Sequence, residues 1–231
     1  SQVTDTASGT TETFTSINEL ALGDGGDIVV EGDTGPVVDD AVAIGDATGI
    51  QTQVFGGTLG SLGEVSINAD GLAAWRRVVN QPAPNDGLQI GPVAGASFQS
   101  VIAAEDPILG GTEEAFETIS DPVINDNGLI AFRSTFIGFD DNDNIVPINA
   151  GIFTIVDEPT TFKQVFSSGG TLRSVGGTVP DEVSAFSAPA INAAGDVAFT
   201  VRADDTTQGD LNDTQLLKHP AGEAPGTVDV I

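Results

Sequence analysis

The chain has no cysteine, no methionine and no tyrosine, one histidine, one tryptophan, and seven lysines and arginines against 34 aspartates and glutamates. Without cysteine there is no disulfide, no thiol nucleophile and no thiolate metal ligand, which fits an exposed bacterial product. The single histidine, His219, confines imidazole acid–base chemistry to one place, and no Ser-His-Asp set can be built around it. A formal net charge of −27 repels phosphate, so nucleic acid is excluded as a partner and an anionic membrane surface is disfavoured. No window approaches the roughly 18 continuous apolar residues of a membrane helix, so membrane insertion is not expected.

What is present favours strands. Val, Ile, Thr and Phe carry the apolar and β-branched content, 39% of the residues are hydrophobic, and there are 29 glycines. The 231 residues suffice to bury a substantial core. An acidic surface of this kind suits a salty or divalent-rich medium, where screening lowers self-repulsion, and it equally suits simple solubility.

One phrase is written three times. "VSINADGLAAW" runs from Val65 to Trp75, "PVINDNGLIAF" from Pro122 to Phe132 and "PAINAAGDVAF" from Pro189 to Phe199. Each holds an apolar strand end, an Asn-x-x-Gly turn and a second short apolar strand. Asn68, Asn125 and Asn192 suit the first turn position, because an Asn side chain bonds nearby backbone groups. Gly71, Gly128 and Gly195 suit the last, where a bulged hairpin demands positive φ. A worn copy, "LGDGGDIVV", aligns Gly23 with the turn Asn and Gly26 with the turn Gly. Turn starts at 23, 68, 125 and 192 give spacings of 45, 57 and 67 residues, the range of multi-stranded repeats. The core is expected from Ile67, Trp75, Ile124, Ile130, Phe132, Ile191, Val197 and Phe199.

Between the copies lie an Asp-rich loop and two further strands, such as those opening at Gly87 and Ser97 or at Gly151 and Thr161. The expected fold is all-β and propeller-like, with about four repeats of four antiparallel strands. In this frame the N-terminus supplies the last two strands of a repeat and the C-terminus the first two. The terminal half-repeats then complete one blade, either in cis as a closed ring or in trans as strand exchange between molecules. Residues 1–13 read as a Ser/Thr-rich tail or donated strand, and residues 14–231 as a single β-repeat domain. The opening "SQVTDTASGTTET" reads as the start of an exported chain after signal-peptide removal.

The Asn-x-x-Gly-x-x-Ala-Phe copies at Asn125 to Phe132 and Asn192 to Phe199, with Trp75 replacing Phe in the copy from Asn68, resemble the tandem NxxGxxAF repeat proteins exported by bacteria. That resemblance implies a β-repeat fold and a secreted or cell-surface address. It implies no defined activity.

The densest set of oxygen ligands is "FDDNDN", where Asp140, Asp141, Asn142, Asp143 and Asn144 have an alternation suited to calcium. A solvated acidic turn is the plainer reading of the same residues. Asp39 and Asp40, Asn85 and Asp86, and Asp204, Asp205, Asp210 and Asp213 are expected in loops at the same point of the repeat. The scarce cations Arg76, Arg133 and Arg202 follow the phrase and are expected to pair with carboxylates. The function expected is that of a non-enzymatic secreted structural or adhesive protein, self-associating into filaments. The alternatives are a glycan- or calcium-binding module and a carbohydrate-active hydrolase or lyase.

Overall fold

A computed structural model of the chain describes residues 2–4, 11–34, 39–46, 49–55, 60–80, 84–92, 99–103, 114–139, 145–155, 162–167, 172–174, 177–179, 182–204, 212–224 and 227–231. Every regular element among them is a β-strand, and all pairing is antiparallel. The chain divides into two compact units, one of residues 1–104 with 121–128 and the other of residues 105–120 with 129–231.

The first unit holds two sheets of four strands each, paired in chain order. The first sheet is Glu19–Leu22, Ile28–Thr34, Asp39–Asp46 and Gly49–Phe55. The second is Gly60–Ile67, Leu72–Asn80, Pro84–Pro92 and Gln99–Ala103. The second unit repeats the plan. Its third sheet follows the path Glu114–Ile119, Ile130–Phe139, Ile145–Ile155 and Phe162–Ser167. Its fourth is Glu182–Phe186, Val197–Asp204, Asn212–His219 and Asp229–Val230, with Ala190–Ile191 also pairing onto Val197–Asp204. Gln2–Thr4 pairs with Thr11–Thr13 in a short hairpin in the first unit, and Leu172–Ser174 with Gly177–Val179 in the second.

The repeat frame differs from the expected one. Each sheet opens on the hairpin and takes in the two strands that follow it, rather than the two that precede it. The first sheet is therefore filled from residues 19–55 and the fourth from residues 182–230. Among the described residues the strands at 19–55 and 182–230 each fill a sheet of their own, so the expected split of one four-stranded repeat between the two ends, closed in cis or in trans, is corrected. The reason is local pairing. The strand after the turn meets the next strand along almost its whole length, from Ile28 opposite Gly45 to Thr34 opposite Asp39, across a short connection. A near neighbour in sequence closes the ladder with less loss of chain entropy than a distant one. The same pairing moves Asp39, Asp40, Asn85, Asp86, Asp204 and Asp213 out of the expected loops and into strands.

Alternation sets the core. In the first unit Val29, Val42 and Ile44 of the first sheet pack on Leu62, Val65, Ala73 and Trp75 of the second, with Ala21 and Ile67 against them. Trp75 is buried, and its indole N–H donates to Gln89 Oε1 at 3.1 Å, which satisfies its polar edge. In the second unit Phe132 stacks on its cross-strand partner Phe153 with centroids 5.7 Å apart, and Phe116 meets Phe153 edge-on at 5.2 Å. Cutting Phe132 to Ala removes one member of this trio and costs about 3–5 kcal/mol. Ile124, Ile130, Phe132, Val197, Phe199 and Trp75 of the expected core are buried, while Ile67 and Ile191 are half-buried.

Candidate functional site

The phrase turns share one geometry. The N–H of the closing glycine donates to the carbonyl of the first turn residue: Gly26 to Gly23 at 3.0 Å, Gly71 to Asn68 at 3.1 Å, Gly128 to Asn125 at 2.9 Å and Gly195 to Asn192 at 3.0 Å. These glycines lie at φ of 87°, 77°, 78° and 90°, the left-handed region that costs a side chain about 1–2 kcal/mol. The Asn oxygen caps the turn from inside. Asn68 Oδ1 accepts from the N–H groups of Asp70 and Leu72, Asn125 Oδ1 from Asn127, and Asn192 Oδ1 from Asp196.

Successive hairpins are also tied to each other. In the first unit Asn68 Nδ2 donates to the Asn125 carbonyl at 3.2 Å, and the Ala69 N–H donates to Asp126 Oδ1 at 3.0 Å. Leu72 Cδ2 lies 3.9 Å from the place of a Cβ on Gly128, ordinary packing distance. The second unit repeats the leucine contact and ties its turns through a different Asp. Leu129 Cδ2 stands 3.2 Å from the place of a Cβ on Gly195, and the Ala221 N–H donates to Asp196 Oδ1 at 2.9 Å. Ala221 is the second residue of a further turn, Pro220 to Glu223, in which Gly222 has φ 82°.

The candidate site is a cleft of about 470 Å³ in the first unit, lined by Asn18, Glu19, Glu31, Glu64, Arg76 and Asp121 above an apolar floor of Leu62 and Val78. Its acids come from the repeat. Glu19, Glu64 and Asp121 each stand four residues before a turn start, at 23, 68 and 125; the fourth copy has Ala188 there. Glu31 and Arg76 each stand eight residues after one, on the strand that follows the turn. Glu19 Oε2 accepts from the Val65 N–H at 3.2 Å, and Asp121 Oδ1 from the Glu64 N–H at 3.0 Å. Asp121 lies directly over Gly63, where a Cβ would collide with its carboxylate. Asn18 is fixed by its own N–H on the Glu31 carbonyl and by its amide on Glu31 Oε1 at 3.4 Å. Gly32 lets this crossing happen, because a Cβ there would strike the Ser16 carbonyl.

Burial first, and then the charges of Glu64 and Asp121, raise the Glu19 carboxyl above its ordinary value, against the lowering effect of the Val65 N–H. The opposite case is Asp196 in the second unit. Lys218 at 2.7 Å, the Ala221 N–H and the Asn192 amide hold it at about 2.

The expected calcium ligands Asp140, Asp141, Asn142, Asp143 and Asn144 lie outside the described residues. Among the described residues no group of three or more His, Cys, Asp or Glu has the geometry to hold a metal ion. His219 is buried, with Nδ1 2.7 Å from the Thr227 carbonyl; since a carbonyl only accepts, the proton is on Nδ1. Arg133 donates to the Phe186 carbonyl at 2.9 Å, a backbone partner rather than the expected carboxylate. Glu19, Glu64 and Asp121 were not singled out by motif. The signal available was an acid at one fixed offset from three of the four turns.

No family model matches the chain, and no curated protein matches it. Among solved structures the chain is similar to the β-propeller domain of the Trilobed protease from Pyrococcus furiosus, described as having an open velcro topology. The two share 10% identity with a TM-score of 0.41 over 96% of this chain and 72% of that one. It is also similar to the Pyrococcus horikoshii acylaminoacyl peptidase, at 8% identity and a TM-score of 0.39 over 93% of this chain; it spans 39% of that peptidase's length.

Proposed function

We propose that this protein is a non-enzymatic structural or adhesive component of the extracellular surface or matrix, built from propeller-like repeats of four strands. One observation carries the reading: its acids serve as braces. Glu19 and Asp121 in the cleft, and Asp126 and Asp196 on the turns, each accept a backbone N–H from a neighbouring hairpin. Each of these carboxylates ties the hairpin that carries it to the backbone of another, a contact made in both units. The repeat thus converts acidity into rigidity, which suits a scaffold that presents a surface.

A second reading is favoured by the cleft itself. Glu31, Glu64, Arg76 and the Asn18 amide converge on a volume that accommodates a small polar ligand, and carboxylates, an amide and a guanidinium are groups that bind the hydroxyls of a glycan. Calcium at Asp140 to Asn144 belongs to the same binding reading.

Two measurements separate these. Immunogold labelling of the cells that make the protein places label on the surface or matrix under the structural reading; label confined to the cytoplasm ends it. Thermal melts with calcium, and a glycan array read with wild type and Glu64→Gln/Arg76→Ala, address the binding reading. A glycan signal lost in the double variant supports the cleft, and an unchanged signal removes it.

A further inference from the structure

The repeat lets each position be compared with its counterparts, and two sets of counterparts disagree in burial. The residue three before the turn start is Leu20, Val65, Pro122 and Pro189 in the successive copies. Val65 is 5% exposed, and both prolines are buried, but Leu20 is 59% exposed. The residue one before the turn start is Leu22, Ile67, Ile124 and Ile191. Ile124 is 8% exposed and the other two isoleucines are half-buried, yet Leu22 is 66% exposed. Ile17 on the approach to the same strand is 62% exposed.

The second set lies on the third strand of each sheet, opposite the eighth residue after the turn start. Register identifies it as Val42 opposite Glu31, Leu88 opposite Arg76, Ile152 opposite Arg133 and Leu216 opposite Thr200. Val42, Leu88 and Ile152 are all 0% exposed, whereas Leu216 is 43% exposed. Beside it the Ile231 N–H donates to the Leu216 carbonyl at 3.0 Å, and Ile231 is 69% exposed.

These two positions are partners. In the first unit Val42 of the first sheet and Val65 of the second belong to one buried cluster, so there the third-strand position of one sheet and the pre-turn position of the next share an apolar core. Leu20 is the pre-turn residue left exposed, and Leu216 the third-strand residue left exposed. All five exposed large hydrophobic residues among those described fall in these two sets and their immediate neighbours. An apolar patch at a repeat end needs a cap or a partner.

We infer that these two faces are complementary halves of one interface between copies of this chain, in which Leu216 and Ile231 of one molecule seat on Leu20 and Leu22 of the next. The contact reproduces the Val42 and Val65 packing with leucines at both positions, and it uses side-chain faces rather than donated strands. It is heterologous, so each copy keeps one free face of each kind and assembly proceeds head to tail. Because each chain carries a formal charge of −27, association strengthens with ionic strength, as the Debye length falls from about 10 Å at 0.1 M salt to about 3 Å at 1 M.

Sedimentation velocity on the purified 231-residue chain, at roughly 10 µM to 1 mM protein in 0.1 and 1 M salt, tests this. Wild type is expected to form species larger than a monomer, more so at 1 M salt. Leu20→Asp/Leu22→Asp and Leu216→Asp/Ile231→Asp are each expected to remain monomeric. Their equimolar mixture is expected to give a dimer and nothing longer, because one intact face of each kind remains. All four positions are solvent-exposed, so the melting temperature should match wild type; serine versions repeat the test if the aspartates disturb folding. A strictly monomeric wild type, double variants that still assemble, or a mixture that stays monomeric would each overturn the interface. Resting on the structural reading above, the assembly can still fail by itself: monomers in the centrifuge sink it wherever the gold label falls, and cytoplasmic label sinks the address and leaves the interface standing.

Discussion

Asn68 reaches out of its own turn to hold the next one: Nδ2 donates to the Asn125 carbonyl at 3.2 Å while Oδ1 accepts from the Leu72 N–H at 2.8 Å. One buried side chain therefore closes a turn and ties two hairpins together. Asn68→Ala removes a capping acceptor and an inter-hairpin donor from a water-poor place and is expected to cost about 2–3 kcal/mol. Asn192 is exposed, so Asn192→Ala should cost about 1 kcal/mol or less. Urea melts of both variants check the ranking; equal losses would mean that the tie to Asn125 contributes nothing.

The copy that lacks the turn Asn makes a less intuitive case. Gly23→Asn restores the repeated pattern, yet it is expected to destabilise. A Cβ at Gly23 would sit 3.0 Å from the Asn68 carbonyl, tighter than ordinary contact, and that carbonyl already accepts from Gly71. Crowding of this kind costs about 1–3 kcal/mol. Gly26→Ala provides the contrast. Nothing lies within 4 Å of its Cβ, so its loss reports the positive φ of 87° alone, about 1–2 kcal/mol. A melting temperature raised by Gly23→Asn would show that the first hairpin moves away from the second at little cost.

How far the sequence foretold this structure follows from how local each feature is. The turns were legible because Asn68, Gly71, Asn125, Gly128, Asn192 and Gly195 act within a few residues of themselves. The aromatic cores were legible because Trp75, Phe132 and Phe199 lie on strands whose alternation fixes their face. The frame of the sheets was not, since the same strands can be grouped before or after a hairpin, and only the pairing of Ile28–Thr34 with Asp39–Asp46 decides. The cleft was hidden for a related reason. Glu19, Glu64 and Asp121 are 45 and 57 residues apart in a chain with 34 acids, and they meet only because successive hairpins lie side by side.

Asp196 sets an acid limit on the fourth sheet. Its carboxyl is held at about 2 by Lys218, the Ala221 N–H and Asn192, below an ordinary 3.8. A group depressed on folding adds stability that is present above the unfolded value and is lost as pH falls toward the folded one. Wild type should therefore lose melting temperature between about pH 4 and pH 2, and Asp196→Asn should lose less over that interval. The gap between the two narrows as pH falls and closes only below about pH 2, and it shrinks with added salt at neutral pH because the ion pair is at the surface. Parallel melting curves for the two proteins across that range would show that the Lys218 contact is not formed in solution.

Glu19 behaves in the reverse sense. Its carboxyl is raised by burial and by the charges of Glu64 and Asp121, so the folded protein holds that proton more tightly than the unfolded chain. The cost is absent below the ordinary value of 4.5, grows as pH rises past it, and is complete once the raised folded value is exceeded. Glu19→Gln keeps an oxygen to accept from the Val65 N–H and removes the charge that faces Glu64 and Asp121. It is expected to stabilise the first unit at pH 7 by a few tenths of a kcal/mol, a modest figure because the group is partly solvated and screened. The gain should vanish below about pH 4, where Glu19 itself carries the proton, and should shrink in 1 M salt. Chemical melts at pH 7 and pH 4 check both points. A loss of stability at pH 7 would mean that the Val65 contact requires the full negative charge, and that the three acids of the cleft support the fold more than they strain it.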